Sequence, residues 1–426
     1  MTDLRPFRAL RYDPRRVDLS RVVVPPYDVI TPEERVRYYA RDPHSAIRLE
    51  LTERVEDEAG TDYREVSERL RAWQREGVLL RDPEPGFYAL RQRFRTAEGL
   101  EHERVGLFGA LRLEPYERRV VLPHERTMSG PKRDRLKQLR AARTNLSSVF
   151  LLYEDREDAL GPVVRSAFRG EPLGRAVDEA GTEHVLARLD APEATRAVRE
   201  FLADRQVVIA DGHHRYETAL AYREECRSER ARRGGDAEGE RPEDFLLVYL
   251  ANAFAPGTLL LPIHRVVRKG PAPSEHLWRE RLAGWEERRV PVAEPAEIPE
   301  VLARELAPLA DRHAFAADDG SGLLRVFSRP ADGDLTIRVL EEEVVGGVFG
   351  IDREAIREGA LAFPKDARLA AEQVRSGQGS VALYVNPLTP DDVFRVTRAG
   401  EVLPQKSTFF VPKLPSGLLF RPLDEP

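Results

Sequence analysis

Strand-like and helix-like stretches follow no regular alternation along this chain, and that irregularity most restricts the folds open to it. A doubly wound parallel sheet needs a helix after nearly every strand. Here strand patterns meet across short polar turns instead. Tyr88, Leu90 and Phe94 share one face of a strand, and Val105, Leu107, Leu111 and Leu113 share one face of another. Thr96-Ala97-Glu98-Gly99 lies between them, so a hairpin is predicted. Val177 to Leu186 reads as a second hairpin, turning at Gly181. Val149–Tyr153, Val207–Ile209, Phe245–Ala251, Leu259–Val267 and Val381–Val385 read as further strands, and Ser45 to Leu51 alternates like one.

Helices fall between these at uneven intervals. Thr31-Pro32-Glu33-Glu34 is a helix start, with Thr31 as cap and Glu34 closing a capping box. Tyr63, Val66, Leu70 and Trp73 recur at helical spacing, and Gly77 ends that helix. Lys132–Arg143 and Pro192–Ala203 are helical, as is the stretch holding Trp278, Leu282 and Trp285. Residues 229–243 are polar and Gly-rich and read as an exposed loop. The expected class is therefore α+β. Four regions are expected: residues 1–150 as an N-terminal α+β region, 151–269 as the core, 270–380 as an inserted α+β subdomain, and 381–426 as strands returning to the core.

Composition narrows the function classes. With 41% hydrophobic and 33% charged residues, the 426-residue chain can bury a core and still cover a large surface. Its formal net charge of -6 lacks the surplus that wrapping nucleic acid requires. A lone cysteine, Cys226, excludes an intramolecular disulfide and any cysteine zinc cluster. No apolar run reaches the ~20 residues that span a bilayer, and Met1-Thr2-Asp3-Leu4-Arg5-Pro6 carries no apolar signal core. A cytoplasmic enzyme is expected.

The most informative unit is Val207-Val208-Ile209-Ala210-Asp211-Gly212-His213-His214-Arg215-Tyr216. An apolar strand breaks at a glycine and enters a stretch, Tyr216 to Cys226, of helix-favouring composition. Such a helix start offers free N–H groups and the positive end of the dipole to an anion. Gly212 permits close backbone approach. His213, His214 and Arg215 add donors, and Arg215 can grip a phosphate bidentately. Asp211 is placed to cap the helix or to hold a metal ion. Against phosphate binding stand a plain capped helix with packed histidines, and metal ligation by Asp211, His213 and His214.

Four other groups are candidates. His124-Glu125-Arg126-Thr127 precedes Lys132, Arg133, Arg135, Lys137, Arg140 and Arg143, setting an acid or base beside many cations, with His124, Glu125 and Lys132 in or beside a Gly130-Pro131 loop. A solvated charged helix is the plainer reading for most of those arginines. Pro25-Pro26 stiffens the approach to Tyr27-Asp28 and could present Asp28 rigidly. His264-Arg265 follows the strand Leu259–Ile263 and offers two more donors or simple structural bonds. In the tail, Lys406-Ser407-Thr408 and Pro412-Lys413 could meet a phosphate or a carboxylate, or stand as a solvated edge strand. No Walker loop, kinase signature set or Gly-x-Ser-x-Gly elbow occurs.

The Asp211–Arg215 box after an apolar strand resembles the phosphate-binding box of the ParB/sulfiredoxin-like superfamily, which includes kinases acting on free serine. Over a longer span, Pro25–Ile30, His124–Thr127, Ala210–Tyr216 and the tail Pro404–Leu418 resemble the domain-of-unknown-function family 1015. The chain departs from that family's pattern at His44-Ser45, where Tyr-Asn is expected, and at Gln405, where a second proline is expected before Lys406. The resemblance implies a mixed-sheet ParB/sulfiredoxin-like core with additional α+β subdomains. It also implies phosphoryl transfer to free serine or from phosphoserine.

On that basis Asp28, Glu125 and His214 are the expected catalytic residues. Gly212, His213, Arg215, His124, Lys132, Arg135, His264, Arg265 and Lys406 are expected to hold phosphate or nucleotide, and Asp211 to hold Mg2+. The expected partners are ADP or ATP and an amino acid or its phosphate. No membrane or nucleic acid is expected, and a homodimer is compatible with the sequence. Two other readings stand beside this one: a nucleotide-binding ParB-like regulatory or DNA-associated module, and a metal-dependent hydrolase using His213 and His214.

Overall fold

Both predicted hairpins form, and they lie in one sheet. The computed structural model describes residues 1–53, 63–96, 99–125, 129–236 and 239–424, with the side chains of 129–131 left aside. Ala97, Glu98, Arg126 and Thr127, named above, lie outside those residues. The chain forms two units, Met1–Leu259 with Pro412–Pro426, and Leu260–Val411.

The sheet of the first unit has nine strands: β1 (Leu4–Arg5), β2 (Phe87–Arg95), β3 (Glu101–Arg112), β4 (Val121–Leu122), β5 (Val149–Tyr153), β6 (Gly174–Val177), β7 (Glu183–Leu189), β8 (Val207–Asp211) and β9 (Phe245–Asn252). Their order is β4-β8-β5-β9-β3-β2-β7-β6, with β1 also paired to β3. β8 runs parallel to β4 and antiparallel to β5, and β9 runs parallel to β5 and antiparallel to β3. The sheet is thus mixed and the class is α+β. β5 and β9 are buried along their whole length, as central strands covered on both faces must be.

Six helices of this unit matter below: α1 (Pro32–Arg41), α2 (Ile47–Glu50), α3 (Arg64–Arg75), α4 (Ser129–Ala142), α5 (Pro192–Ala203) and α6 (His213–Arg232). The capping box that starts α1 forms as predicted: Glu34 N–H donates to the Thr31 hydroxyl at 3.2 Å and Thr31 N–H to Glu34 at 2.9 Å. Val198 and Leu202 of α5 and Tyr216 and Ala219 of α6 join Leu107, Leu111, Leu151, Ile209 and Val248 of the sheet in one core. At roughly 1.5–3 kcal/mol per buried large apolar side chain, this layer dominates the stability of the unit.

Several local expectations are corrected. Ser45–Leu51 is not a strand but contains the helical turn α2, in which Ile47, Leu49 and Glu50 are all buried, so the apparent alternation has no solvent face to match. Residues 229–243 are not all loop. α6 continues to Arg232, because Glu229-Arg230-Ala231-Arg232 are good helix formers and ion pairs tie Arg227 to Asp244 at 2.7 Å and Arg230 to Glu243. Gly130-Pro131 is the first turn of α4 rather than a loop, a position that proline tolerates. Leu259–Val267 breaks into Leu259–Leu261 and Arg265–Val267, since Pro262 has no N–H to continue a ladder.

The second unit has its own six-stranded sheet and core. The strands are β10 (Arg265–Val267), β11 (Glu286–Pro291), β12 (Arg312–Asp318), β13 (Leu323–Pro330), β14 (Leu361–Ala362) and β15 (Val381–Val385), in the order β11-β13-β12-β15-β10-β14. Ala316, Val326, Ala370, Ala382 and Tyr384 are among its core residues. Trp285 lies beyond the helix Glu275–Arg281, and its indole N–H donates to Glu343 at 3.0 Å. The expected region boundaries shift accordingly. Residue 150 divides nothing, because β9 and β3 pair across it. β15 belongs to the second unit by its pairing with β12 and β10, so only Pro412–Pro426 returns to the first.

Candidate functional site

The turn between β8 and α6 is built from the strand outward. Val207, Val208 and Ile209 are fully buried, and the register against β5 shifts between Ile209 and Asp211. That irregularity brings Asp211 opposite Phe150 at the strand's end. Gly212 follows with φ 95°, the left-handed region that favours glycine, and a Cβ there would come within 3.0 Å of the Arg215 guanidinium. Gly212 is the N-cap of α6 and makes no side-chain cap bond. The helix start is anchored by Tyr216, a wholly buried residue whose hydroxyl donates to the Glu114 carbonyl at 2.8 Å and accepts from Glu114 N–H at 3.1 Å.

Charge at the turn is organised around Asp211. One carboxylate oxygen accepts from Lys413 Nζ at 2.9 Å, and the other lies 3.7 Å from Arg215 Nη2. Burial works against ionisation of Asp211, but Lys413 and Arg215 outweigh it and bring its pKa down to about 2. Arg215 also donates to the Ser148 carbonyl. Burial opposes its charge too, yet Asp211, Asp28, Tyr27 and Glu50 together raise its pKa above the usual value. Asp28 is exposed, on the short helical turn Tyr27–Val29 that follows Pro25-Pro26. Its field reaches both Arg215 and His214.

The histidines are mostly neutral donors and acceptors. His213 is buried, and its Nε2 accepts from His124 N–H at 3.2 Å while its Nδ1 faces Glu125 at 3.5 Å. That pairing places the ring proton on Nδ1. Burial, and next the neighbouring His124, hold its pKa well below the usual value. His124 packs edge-on against it, 4.6 Å between ring centres, and shares a 2.5 Å contact between Nδ1 and the Ile209 carbonyl. Burial lowers the pKa of His124, and it lowers that of the half-buried His214 against the pull of Glu125 and Glu217. His213 is thus buried, with Nε2 engaged by His124 N–H and Nδ1 facing Glu125, a placement turned into the fold rather than towards the phosphate it was expected to hold. His214, the next residue of the turn, is half-buried.

The basic stretch is largely consumed by structure. Lys132 pairs with Glu217 and Arg140 with Glu225. Arg135, expected to meet a nucleotide, is buried and donates to the Glu50 carbonyl at 2.9 Å, to Tyr63 at 2.9 Å and to Asp134 at 2.6 Å, with its guanidinium 4.2 Å from the Tyr27 ring centre. It ties α2, α3 and α4 together. His264, Arg265 and Lys406 belong to the second unit. His264 is buried and its Nδ1 accepts from Val385 N–H at 3.5 Å, while Arg265 is fully buried 3.3 Å from Glu341. Lys406 sits exposed at a left-handed position, φ 58°.

Asp211 does not fit as a metal ligand, because its carboxylate already balances two cations. Among the described residues no three His, Cys, Asp or Glu side chains converge as a metal-ligand set, and no helix is long and apolar enough to cross a membrane.

One residue at the site was named in the sequence without its partner, and one was not singled out. Lys413 of the tail was expected to meet a phosphate or a carboxylate; the carboxylate is that of Asp211, 202 positions away, which nothing local marked. Glu50 is 1% exposed, with one carboxylate oxygen 3.7 Å from Arg135 and the other without a hydrogen-bond partner among the described residues. Its signal was an acid among the apolar residues Ile47, Leu49 and Leu51, in a segment that reads as an alternating strand.

Comparison with known proteins gives a family rather than an activity. No protein of curated function matches the chain. Among solved structures, the chain is similar to a free serine kinase in complex with AMP, at 15% identity and TM-score 0.36, over 74% of this chain and 92% of that one. A mutant free serine kinase in complex with ADP matches at 14% identity and TM-score 0.36 over the same shares. A C-terminally truncated SbnI from Staphylococcus aureus matches at 12% identity and TM-score 0.37, over 74% of this chain and 87% of that one. Residues 4–315, well over half of the chain, match the family described as protein of unknown function DUF1015, and the chain belongs to that family.

Proposed function

We propose that this protein is a phosphotransferase that moves a phosphoryl group between a nucleotide and free serine. The observation that supports this most is the turn at Gly212. It joins a helix start without a side-chain cap, a largely enclosed Arg215 held in its charged form, and a half-buried His214 at one turn. Such an assembly favours a phosphate over other anions, because arginine supplies a planar pair of donors and the helix start supplies further N–H groups. The serine half of the reading comes from the resemblance of Asp211–Arg215 to the box of free-serine kinases.

In this reading Gly212 N–H, His214 and Arg215 hold the transferred phosphoryl group and offset its developing charge. The serine hydroxyl oxygen attacks phosphorus as the bond to the nucleotide oxygen breaks, and Asp28 takes the hydroxyl proton. Glu125 orients His213, which in turn fixes His124 against the end of β8. The charge on the phosphoryl group falls to Arg215, with neutral His214 as a hydrogen-bond donor, since Asp211 does not suit Mg2+. The reverse direction, from phosphoserine to a nucleotide, uses the same transition state.

Phosphorus NMR on the purified protein, with L-serine or phosphoserine and AMP, ADP or ATP, tests this directly. Transfer in either direction, lost in Arg215→Ala with the fold intact, is the expected result. No transfer with any pair would remove serine from the account.

A further inference from the structure

The C-terminal tail enters the first unit at Pro412, and buried side chains hold its first two residues in place. Arg104 of β3, wholly buried, donates to the Pro412 carbonyl at 2.7 Å, and Gln92 of β2 donates to the Lys413 carbonyl at 3.4 Å. Gln92 is itself fixed, since its side-chain oxygen accepts from Arg104 Nε at 3.0 Å and its amide meets His184 at 3.3 Å. His184 in turn pairs with Asp178 at 2.9 Å. A polar chain across three strands thus fixes the backbone from which Lys413 projects.

The side chain of Lys413 is not sealed in. It is 29% exposed, against 12% for Arg215 and 18% for Asp211. Asp211 holds Lys413 on one oxygen and faces Arg215 with the other, so two cations are set on either side of one carboxylate. A carboxylate used in this way orients both cations towards whatever anion approaches from the open side.

We propose that Lys413 is a phosphate-binding residue of the turn, supplied by the tail and oriented by Asp211, and that with Arg215 it forms a two-cation subsite for a phosphate dianion. This rests on the phosphotransferase reading and adds a residue to it. Asp211 is then a positioning residue, and its charge keeps the ammonium aimed without being consumed by the ligand.

Titration calorimetry of the full chain with inorganic phosphate and with AMP tests the inference, with thermal unfolding run on every variant. Lys413→Met is expected to weaken phosphate about 10- to 100-fold, the loss of one charge-assisted bond, and Lys413→Arg to recover most of that. A purely structural lysine predicts something else: the double variant Asp211→Asn, Lys413→Met removes both charges of the pair together and should then bind phosphate normally. Direct contact predicts that the double variant stays weak. Normal affinity in Lys413→Met or in the double variant, with Arg215→Ala impaired, overturns the inference and leaves the phosphate reading standing. No phosphate or AMP binding by the unaltered protein overturns both.

Discussion

Two places in this chain carry the same local signal, a histidine and an arginine after an apolar strand, and the fold treats them in opposite ways. At His214-Arg215 the strand has ended, Gly212 has turned the backbone, and the side chains stand at the start of a helix. At His264-Arg265 no turn intervenes before the next strand, so Arg265 is the first residue of β10 and is fully buried. One arginine is raised in basicity by surrounding acids; the other is lowered by burial, which Glu341 only partly opposes. A glycine that reverses the chain makes donors available, and a continuing strand uses them up.

That contrast breaks down unless the two arginines fail differently. Replacing Arg215 by Ala is expected to cut phosphoryl transfer by about 10²–10³-fold, as removal of a transition-state donor does, while circular dichroism stays native. Replacing Arg265 by Ala removes a fully buried side chain and leaves the partly exposed Glu341 without its partner, and should cost about 1–3 kcal/mol of stability, with phosphate affinity of the folded protein unchanged. Chemical denaturation and phosphate titration of both variants separate the roles; matching losses in both assays would end the distinction.

Acid sharpens the same comparison. His264 is held neutral by burial, next by Arg265, with its pKa down to about 4 against 6.5 unfolded. Between those values the unfolded chain binds the proton and the folded chain does not. Stability of the second unit should therefore fall as pH drops from about 6.5 to 4, by about 3 kcal/mol in all. Asp211, at about 2 against 3.8, contributes about 2 kcal/mol that is complete above pH 3.8 and lost as pH falls towards 2. Urea unfolding between pH 7 and 2 reads this through tryptophan fluorescence, because Trp278 and Trp285 lie in the second unit and Trp73 in the first. His264→Gln should flatten the upper window only. A variant with the same profile as the unaltered protein would show that His264 does not titrate on unfolding.

The smallest effect concerns the glycine itself. Gly212→Ala puts a Cβ at positive φ and 3.0 Å from the Arg215 guanidinium. About 1–2 kcal/mol of stability should be lost, and a few-fold of phosphate affinity as Arg215 shifts. Full affinity in this variant would mean that Arg215 does not need its present position.

Local periodicity and capping were legible throughout. The helix Pro192–Ala203, the capping box at Thr31 and the hairpin turning at Gly181 each depend on residues close in sequence, and each appears where the pattern puts it. Misreadings came where burial, rather than pattern, set the outcome. Ser45–Leu51 alternates yet forms a helical turn, because both faces of the segment are enclosed. Residues 229–232 are polar yet helical, because arginines of the helix find acids beyond Gly234.

The same division runs through the candidate site. The sequence by itself determined that Asp211-Gly212-His213-His214-Arg215 would be a strand-to-helix turn, since an apolar run, a glycine and helix formers need only their neighbours to express themselves. Only the tertiary structure decided which charges would serve it. Lys413 reaches Asp211 across 202 positions, His213 turns inward to His124, and Arg135 is drawn into the packing of three helices. Charged side chains are long and their partners are set by burial, so their roles are fixed when the core closes and not before.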